Sequence, residues 1–218
     1  MAKSDWLLGD SPNPLAGRVD EIRLELGDQD PSELALRTGT LFTSEGGQGG
    51  VFQVSMWGQE VLVDFPAFTA RYTQTDLKLN TFELTMLAYY FHLSDGTPQS
   101  GQWIAFTELP DGKFYTQAFQ NYTGQLLIKA FGNNAEAFEQ AALKSGGRKE
   151  FFANISFSFQ ALPRVALMVA CWLGDEDFPP SYRVLFDSAA GRHLSTDGCA
   201  ILGSTLTRRI IKAKQSSV

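Results

Sequence analysis

Three consecutive carboxylates, Asp175-Glu176-Asp177, form the densest chemistry-bearing group in the sequence, between Gly174 and Phe178-Pro179-Pro180. They follow an apolar run that ends at Leu173, and the two prolines stiffen their exit. Two chemistries suit them. Asp175, Glu176 and Asp177 can ligate a hard divalent cation through oxygen, or one can act as a general acid or base whose pKa like-charged neighbours raise. Either points to a metal-dependent hydrolase or lyase. The same residues also suit a solvated acidic turn that caps the next element. Calcium-loop spacing and its glycine are absent.

A second group, Trp103, Glu108, Asp111 and Tyr115, surrounds the turn Leu109-Pro110-Asp111-Gly112. Aromatic and carboxylate side chains across a tight turn can line a ligand pocket, and they also make a well-packed hairpin. Arg164 is embedded between two apolar segments. If buried it needs partners, for which Asp175, Asp177 and Asp187 are candidates, or else it binds an anion. Together these residues suggest an aromatic-walled pocket: Trp103, Tyr115 and Trp172 as walls, Glu108, Arg164 and Asp175 as polar contacts.

The tests for nucleophilic catalysis are negative. The sequence has no G-x-S-x-G, no H-E-x-x-H and no paired cysteine and histidine. Cys171 and Cys199 are too far apart in sequence for a C-x-x-C site, and Cys171 reads as a small buried hydrophobe. His92 ends an apolar helix and His193 precedes the last one; each reads as a structural residue or as an axial ligand to a haem-like or corrin cofactor. The glycine run Gly46–Gly50 lacks a Gly-Lys-Ser/Thr ending and leads into a strand, so it reads as a loop rather than a phosphate cradle.

Several elements must position these residues. Val19, Ile22 and Leu26 share a helical face that Gly27 ends. Asp30-Pro31-Ser32-Glu33 starts a second helix by N-cap, N1 proline and capping box, completing an N-terminal helical hairpin. Phe52, Val54 and Met56, then Val61, Val63 and Phe65, alternate as strands around a Gly58-Gln59 turn, and 67–72 adds a third strand. Asn80 and Glu83 cap a helix carrying Met86, Leu87, Tyr90 and Phe91. An extended segment 101–109 and helices over 117–131 and 134–143 follow. Ile155, Phe157 and Phe159 then predict a half-buried strand with Ser156 and Ser158 outward. Val165 to Trp172 reads as a strand covered on both faces, 182–186 as another, and a C-terminal helix from Ser195 or Thr196 carries Leu202, Leu206 and Ile210. The expected fold class is α+β, a mainly antiparallel sheet with helices packed on it. Residues 1–15 read as a flexible N-terminus and 16–214 as a single domain.

Composition agrees with an ordinary globular chain: 218 residues, 44% hydrophobic, 17 Phe and only two His. A net charge of −6 argues against nucleic acid as a partner. Arg208, Arg209, Lys212 and Lys214 collect near the end of the last helix, where cations complement its dipole. No signal-like stretch lies in Met1–Leu15, and the longest apolar run, Val165–Leu173, is far short of the roughly 20 residues a membrane span needs. A cytoplasmic location without membrane association is expected.

The blocks Gly101-x-Trp103, Glu108-Leu109-Pro110-x-Gly112-x-x-Tyr115, Ala161-Leu162-Pro163-Arg164-Val165, Trp172–Pro180 and Leu185-Phe186-Asp187 resemble the DUF3786 family of anaerobic bacteria and archaea. The resemblance covers roughly Val19 to Ile211. It implies an accessory role in anaerobic redox or corrinoid chemistry, because some members look joined to cysteine-rich iron–sulfur segments. With two cysteines in this chain, any cluster would come from a separate redox or iron–sulfur partner. The family supplies no catalytic residues and no named cofactor. The expected function is therefore a non-catalytic ligand-binding or accessory protein, with the carboxylate enzyme and an interaction module for an iron–sulfur protein as alternatives. The carboxylate reading predicts that a divalent cation raises the melting temperature and that Asp175→Asn/Asp177→Asn abolishes the rise; thermal denaturation with and without the ion reads it.

Overall fold

A computed structural model describes residues 14–46 and 49–215, with side chains from Asp20 onward. Most of the expected flexible N-terminus, the side chain of Val19, and Gly47-Gln48 of the glycine run lie outside the described residues. The fold is α+β, its antiparallel strands divided between two sheets. The chain forms two compact units, one of the described residues up to Val54 with Glu60–His92, the other of Ser55–Gln59 with Leu93 onward.

In the first unit, helices α1 (Pro14–Gly27) and α2 (Pro31–Thr38) precede the four-stranded sheet β1 (Leu41–Gly46), β2 (Gly49–Met56), β3 (Gln59–Phe65) and β4 (Thr69–Tyr72), and α3 (Thr81–Leu93) follows. Asp30 caps α2 as expected, accepting the Ser32 N–H at 2.7 Å, and Gly39 closes it in the left-handed conformation. The Asn80–Glu83 box is reciprocal, each side chain accepting the other residue's N–H at 3.0 Å. The alternation in β2 and β3 is real: Phe52, Val54, Met56, Val61, Val63 and Phe65 are all buried. Phe91 meets Phe52 and Phe68 edge-on at 5.0 and 5.1 Å, and buried Tyr90 donates its hydroxyl to Thr38 O.

The hairpin turns one residue earlier than Gly58-Gln59. Trp57 and Gly58 are the central residues, both with positive φ (53° and 75°), and Gln59 already belongs to β3. Two positive φ values are what the twist of a two-residue hairpin demands. Trp57 tolerates that conformation because the tip is held within the second unit: its N–H reaches Ala161 O at 2.9 Å, and the Arg209 guanidinium lies 5.4 Å from its ring centroid.

The second unit is built on a five-stranded antiparallel sheet in the order β5 (Trp103–Ala105), β9 (Ser181–Asp187), β8 (Val165–Trp172), β7 (Ile155–Leu162), β6 (Arg148–Glu150). Helices α4 (Thr116–Tyr122), α5 (Gly124–Phe131), α6 (Ala135–Lys144) and α7 (Thr196–Gln215) complete it. Aromatic contacts show which face the helices take. Phe119 meets Phe186 at 5.8 Å, and Phe138 meets Tyr182 and Phe157 at 5.1 and 6.0 Å.

Three expectations change here. The single helix over 117–131 is two, broken at Thr123 (φ −123°, ψ −88°). The break lets the chain approach β9 so closely that a Cβ at Gly124 would lie 2.3 Å from Tyr182 O, the carbonyl to which Gln120 donates at 3.0 Å. Strand β7 is not half-buried: Ser156 and Ser158 are as covered as the phenylalanines. Their hydroxyls are satisfied locally, by Glu150 O at 2.9 Å and the Glu150 carboxylate at 2.7 Å, so polar residues can line a buried face. The edge strands β1 and β6 were not foreseen, since neither carries an alternating pattern.

The close approach at Gly124 gives a direct test. Gly124→Ala should lower the unfolding free energy by about 1–3 kcal/mol, the usual cost of forcing extra volume into a packed site. Denaturant titration of the two proteins measures it.

Candidate functional site

The structure disperses the expected pocket. Trp103 on β5 and Trp172 at the end of β8 share one face of the second sheet, opposite the helices. Both pack, half-buried, against the same small cluster of Met168, Ala170 and Leu185. Register explains this: Met168 pairs with Leu185 and Leu185 with Ala105, Trp103 lies two residues from Ala105, and Trp172 lies two from Ala170 and four from Met168, so all point to one face. Arg183, two residues from Ser181 opposite Trp172, places its guanidinium 5.7 Å from that ring.

The polar candidates have local duties. Glu108 accepts the Ala105 N–H at 2.7 Å and so braces the 3-10 turn Phe106–Glu108. Arg164 sits half-buried in the turn between β7 and β8, where its charge reaches His193. Asp175 accepts the N–H groups of Asp177 and Phe178, both at 2.9 Å, and these bonds lower its pKa. Glu176 and Asp177 point from the same exposed turn. Among the described residues no group of three or more His, Cys, Asp or Glu gathers to hold a metal ion.

The firmest polar construction lies elsewhere, where residues 94–101 run against the end of β9. Asp187, 1% exposed, accepts N–H bonds from Ser100 (3.1 Å), Gly101 (2.7 Å) and Ala189 (2.9 Å), and the Ser100 hydroxyl at 3.2 Å. Fully buried His193 places Nε2 2.9 Å from Thr97 O and Nδ1 3.2 Å from Ser94 Oγ. With Thr97 O as an obligate acceptor, Nε2 carries the proton and Nδ1 accepts from the serine. Burial pushes the pKa of His193 below its usual value. Arg192 pairs with Asp95 at 2.5 Å, and the Thr97 hydroxyl and N–H together with Arg192 hold Asp95 at about 2. His193 therefore has both ring nitrogens engaged. His92 stands 3.4 Å from Glu25. Both cysteines are buried, and burial raises their thiol pKa values, that of Cys199 to about 12.

Directly beside this construction is an open cleft of about 600 Å³. Asp111, Phe114 and Tyr115 line it together with Arg192 and Ser195 from the segment that leads into α7 and Asp197 from its first turn. The turn Asp111-Gly112 aims the aromatics. Asp111 has φ 58°, and Gly112 sits so close to Phe106 O that a Cβ there would lie 1.9 Å away. Phe114 and Tyr115 are consequently 82% and 57% exposed, at the cleft and not in the core. Across from them Thr196 donates its hydroxyl to Pro110 O, and Ser195 caps α7 by accepting the Gly198 N–H at 3.2 Å. Of the residues expected to line a pocket, Tyr115 and Asp111 of the turn group are here. Phe114, Arg192, Ser195 and Asp197 were missed. Two adjacent aromatics straight after a tight turn were the available signal for Phe114.

Fold and cleft together define an α+β protein whose buried titratable groups serve structure and whose aromatics face an open cleft at the last helix. The chain belongs to the family described as Domain of unknown function (DUF3786), whose model matches residues 30–209. No curated protein and no solved structure matches it. No helix among the described residues is long and apolar enough to cross a membrane.

His193 yields a signed pH dependence. Its imidazole takes a proton more readily in the unfolded chain, near the ordinary value of 6.5, than in the fold. The stability it confers is complete above that value and is lost as the pH falls below it. His193→Gln should cost about 1–3 kcal/mol at neutral pH through the lost buried bonds. It should also flatten the decline in stability between pH 7 and pH 5, read by denaturation at each pH.

Proposed function

We propose that this protein is a non-catalytic binding protein, an accessory to chemistry performed elsewhere, and that it takes a small molecule in the cleft between Phe114-Tyr115 and the start of α7. One observation carries the reading: two aromatic side chains stand exposed at a cleft of about 600 Å³, directly after a tight turn in which only glycine fits at position 112. Cavities of this size suit a small ligand, and exposed rings beside a few polar groups suit one with a flat or apolar part. The side chains best able to do covalent or proton-transfer chemistry in this unit are engaged otherwise: the two thiols by burial, His193 and Asp187 by hydrogen bonds. Anaerobic redox or corrinoid metabolism, with the ligand delivered to or sensed for another protein, is the setting this proposal gives that role.

Native mass spectrometry of protein purified without oxygen tests this. The expected result is an added mass that denaturation removes and that Phe114→Ala/Tyr115→Ala protein lacks. A mass retained undiminished by the double variant would remove the cleft from the proposal. A bare chain that no small-molecule panel stabilises thermally would overturn the binding reading itself.

A further inference from the structure

A different part of the second unit exposes more apolar surface than folding can use. Phe151 is fully exposed, Phe178 is 71% exposed, and Phe152 and Leu173 are largely open. These residues are neighbours. The Phe152 ring stands edge-on to Trp172 at 6.3 Å, the Leu173 N–H reaches Asn154 Oδ1 at 3.0 Å, and the Asp175 N–H reaches Phe178 O at 2.9 Å. They are also held in place, because Phe152 N–H donates to Ser156 Oγ at 3.2 Å and Gly174 exchanges two hydrogen bonds with Asn133. Exposed apolar side chains carried on hydrogen-bonded backbone at one corner of a sheet mark an interaction site.

We propose that this corner of the sheet docks a partner protein through a segment of apolar side chains flanked by lysine or arginine. The charge beside the patch selects the occupant. Asp175, Glu176 and Asp177 are exposed, and none of them forms an ion pair with the described residues. Arg183 already lies over Trp172, so the ring accepts a guanidinium; Arg148 and Lys149, just before Phe151, are paired with Glu150 and Glu139, which leaves the carboxylates of the turn in excess. A second copy of this chain, meeting patch to patch, would bring three more carboxylates against these three. Anionic lipid and nucleic acid would be repelled in the same way. A cationic, apolar segment satisfies both halves of the surface, with the aromatics as anchors and the carboxylates as a rim that speeds and orients encounter.

The test titrates the whole protein with two synthetic peptides of equal length, one alternating leucine and lysine, the other leucine and glutamate. Calorimetry follows binding, and amide exchange locates it. The leucine–lysine peptide should bind, protect amides in 151–154 and 173–178, and weaken as salt rises. Phe151→Ser/Phe178→Ser should weaken it by about tenfold or more, as loss of interface anchors does. Glu176→Gln/Asp177→Asn leaves the Asp175 turn intact and should weaken binding while flattening its salt dependence. Equal binding of both peptides, binding unaltered in both variants, or protection elsewhere would overturn the proposal. So would a concentration-dependent dimer, seen by sedimentation, that Phe151→Ser/Phe178→Ser abolishes. The cleft variant Phe114→Ala/Tyr115→Ala should bind the peptide normally, which keeps this result separate from the small-molecule reading.

Discussion

A carboxylate leaves water only where donors replace its hydration, and Asp187 is surrounded by three N–H groups and a hydroxyl. Those donors come from Ser100, Gly101 and Ala189. Satisfying one charge therefore pins two stretches of backbone to the end of β9: the segment entering β5 and the segment leading to α7. His193 and Arg192 extend the same construction to Ser94, Thr97 and Asp95. The cleft borders the second of the two pinned stretches, since Arg192, Ser195 and Asp197, which line it, follow Asp187 closely in the chain. The same node thus fixes the stretch of chain from which Arg192, Ser195 and Asp197 reach the cleft.

The second sheet divides its labour by face. Tyr182, Val184 and Phe186, with Phe157 and Phe159, meet the helices, and their rings interlock with Phe119 and Phe138. The opposite face holds Ser156 and Ser158 beside Met168, Ala170 and Leu185, and Trp103 and Trp172 pack half-buried against the latter three. Large aromatics can seal a sheet face while keeping one edge in contact with solvent. At the corner where β8 ends this seal passes into the exposed Phe151, Phe152 and Phe178, with the acidic turn beside them. The acidic turn is itself ordered by Asp175, which serves the backbone with one oxygen. The four cations of α7 are partly committed too: Arg209 lies over Trp57, and Lys214 lies over Phe131 and donates to Ala130 O.

What could be read directly was whatever depends on neighbours in sequence. Asp30 and Asn80 cap helices because their partners lie two or three residues away. Phe52, Val54 and Met56 alternate because a pleated strand alternates, and Leu202, Leu206 and Ile210 line up because a helix does. The apolar β8 was legible as doubly buried for the same reason. Of the site, the sequence showed the Asp111-Gly112 turn and Tyr115 behind it.

The remainder was decided by groups far apart in the chain. Ser156 and Ser158 looked outward-facing because a hydroxyl's burial depends on Glu150 being there to accept from it. Trp57 entered the hairpin turn because Ala161 and Arg209 reward it there, and the break in the helix over 117–131 goes with a close approach of Gly124 to Tyr182 O, far off in sequence. Trp103, Glu108, Arg164 and Asp175 looked like one pocket by residue type, yet strand register and turn geometry sent each to a different place. Residue type and spacing alone determined the α+β class, the caps and the apolar faces, since these follow from local backbone periodicity. The cleft, the node at Asp187 and the exposed aromatic corner were settled only by tertiary structure, because each joins groups whose partners no local pattern can specify.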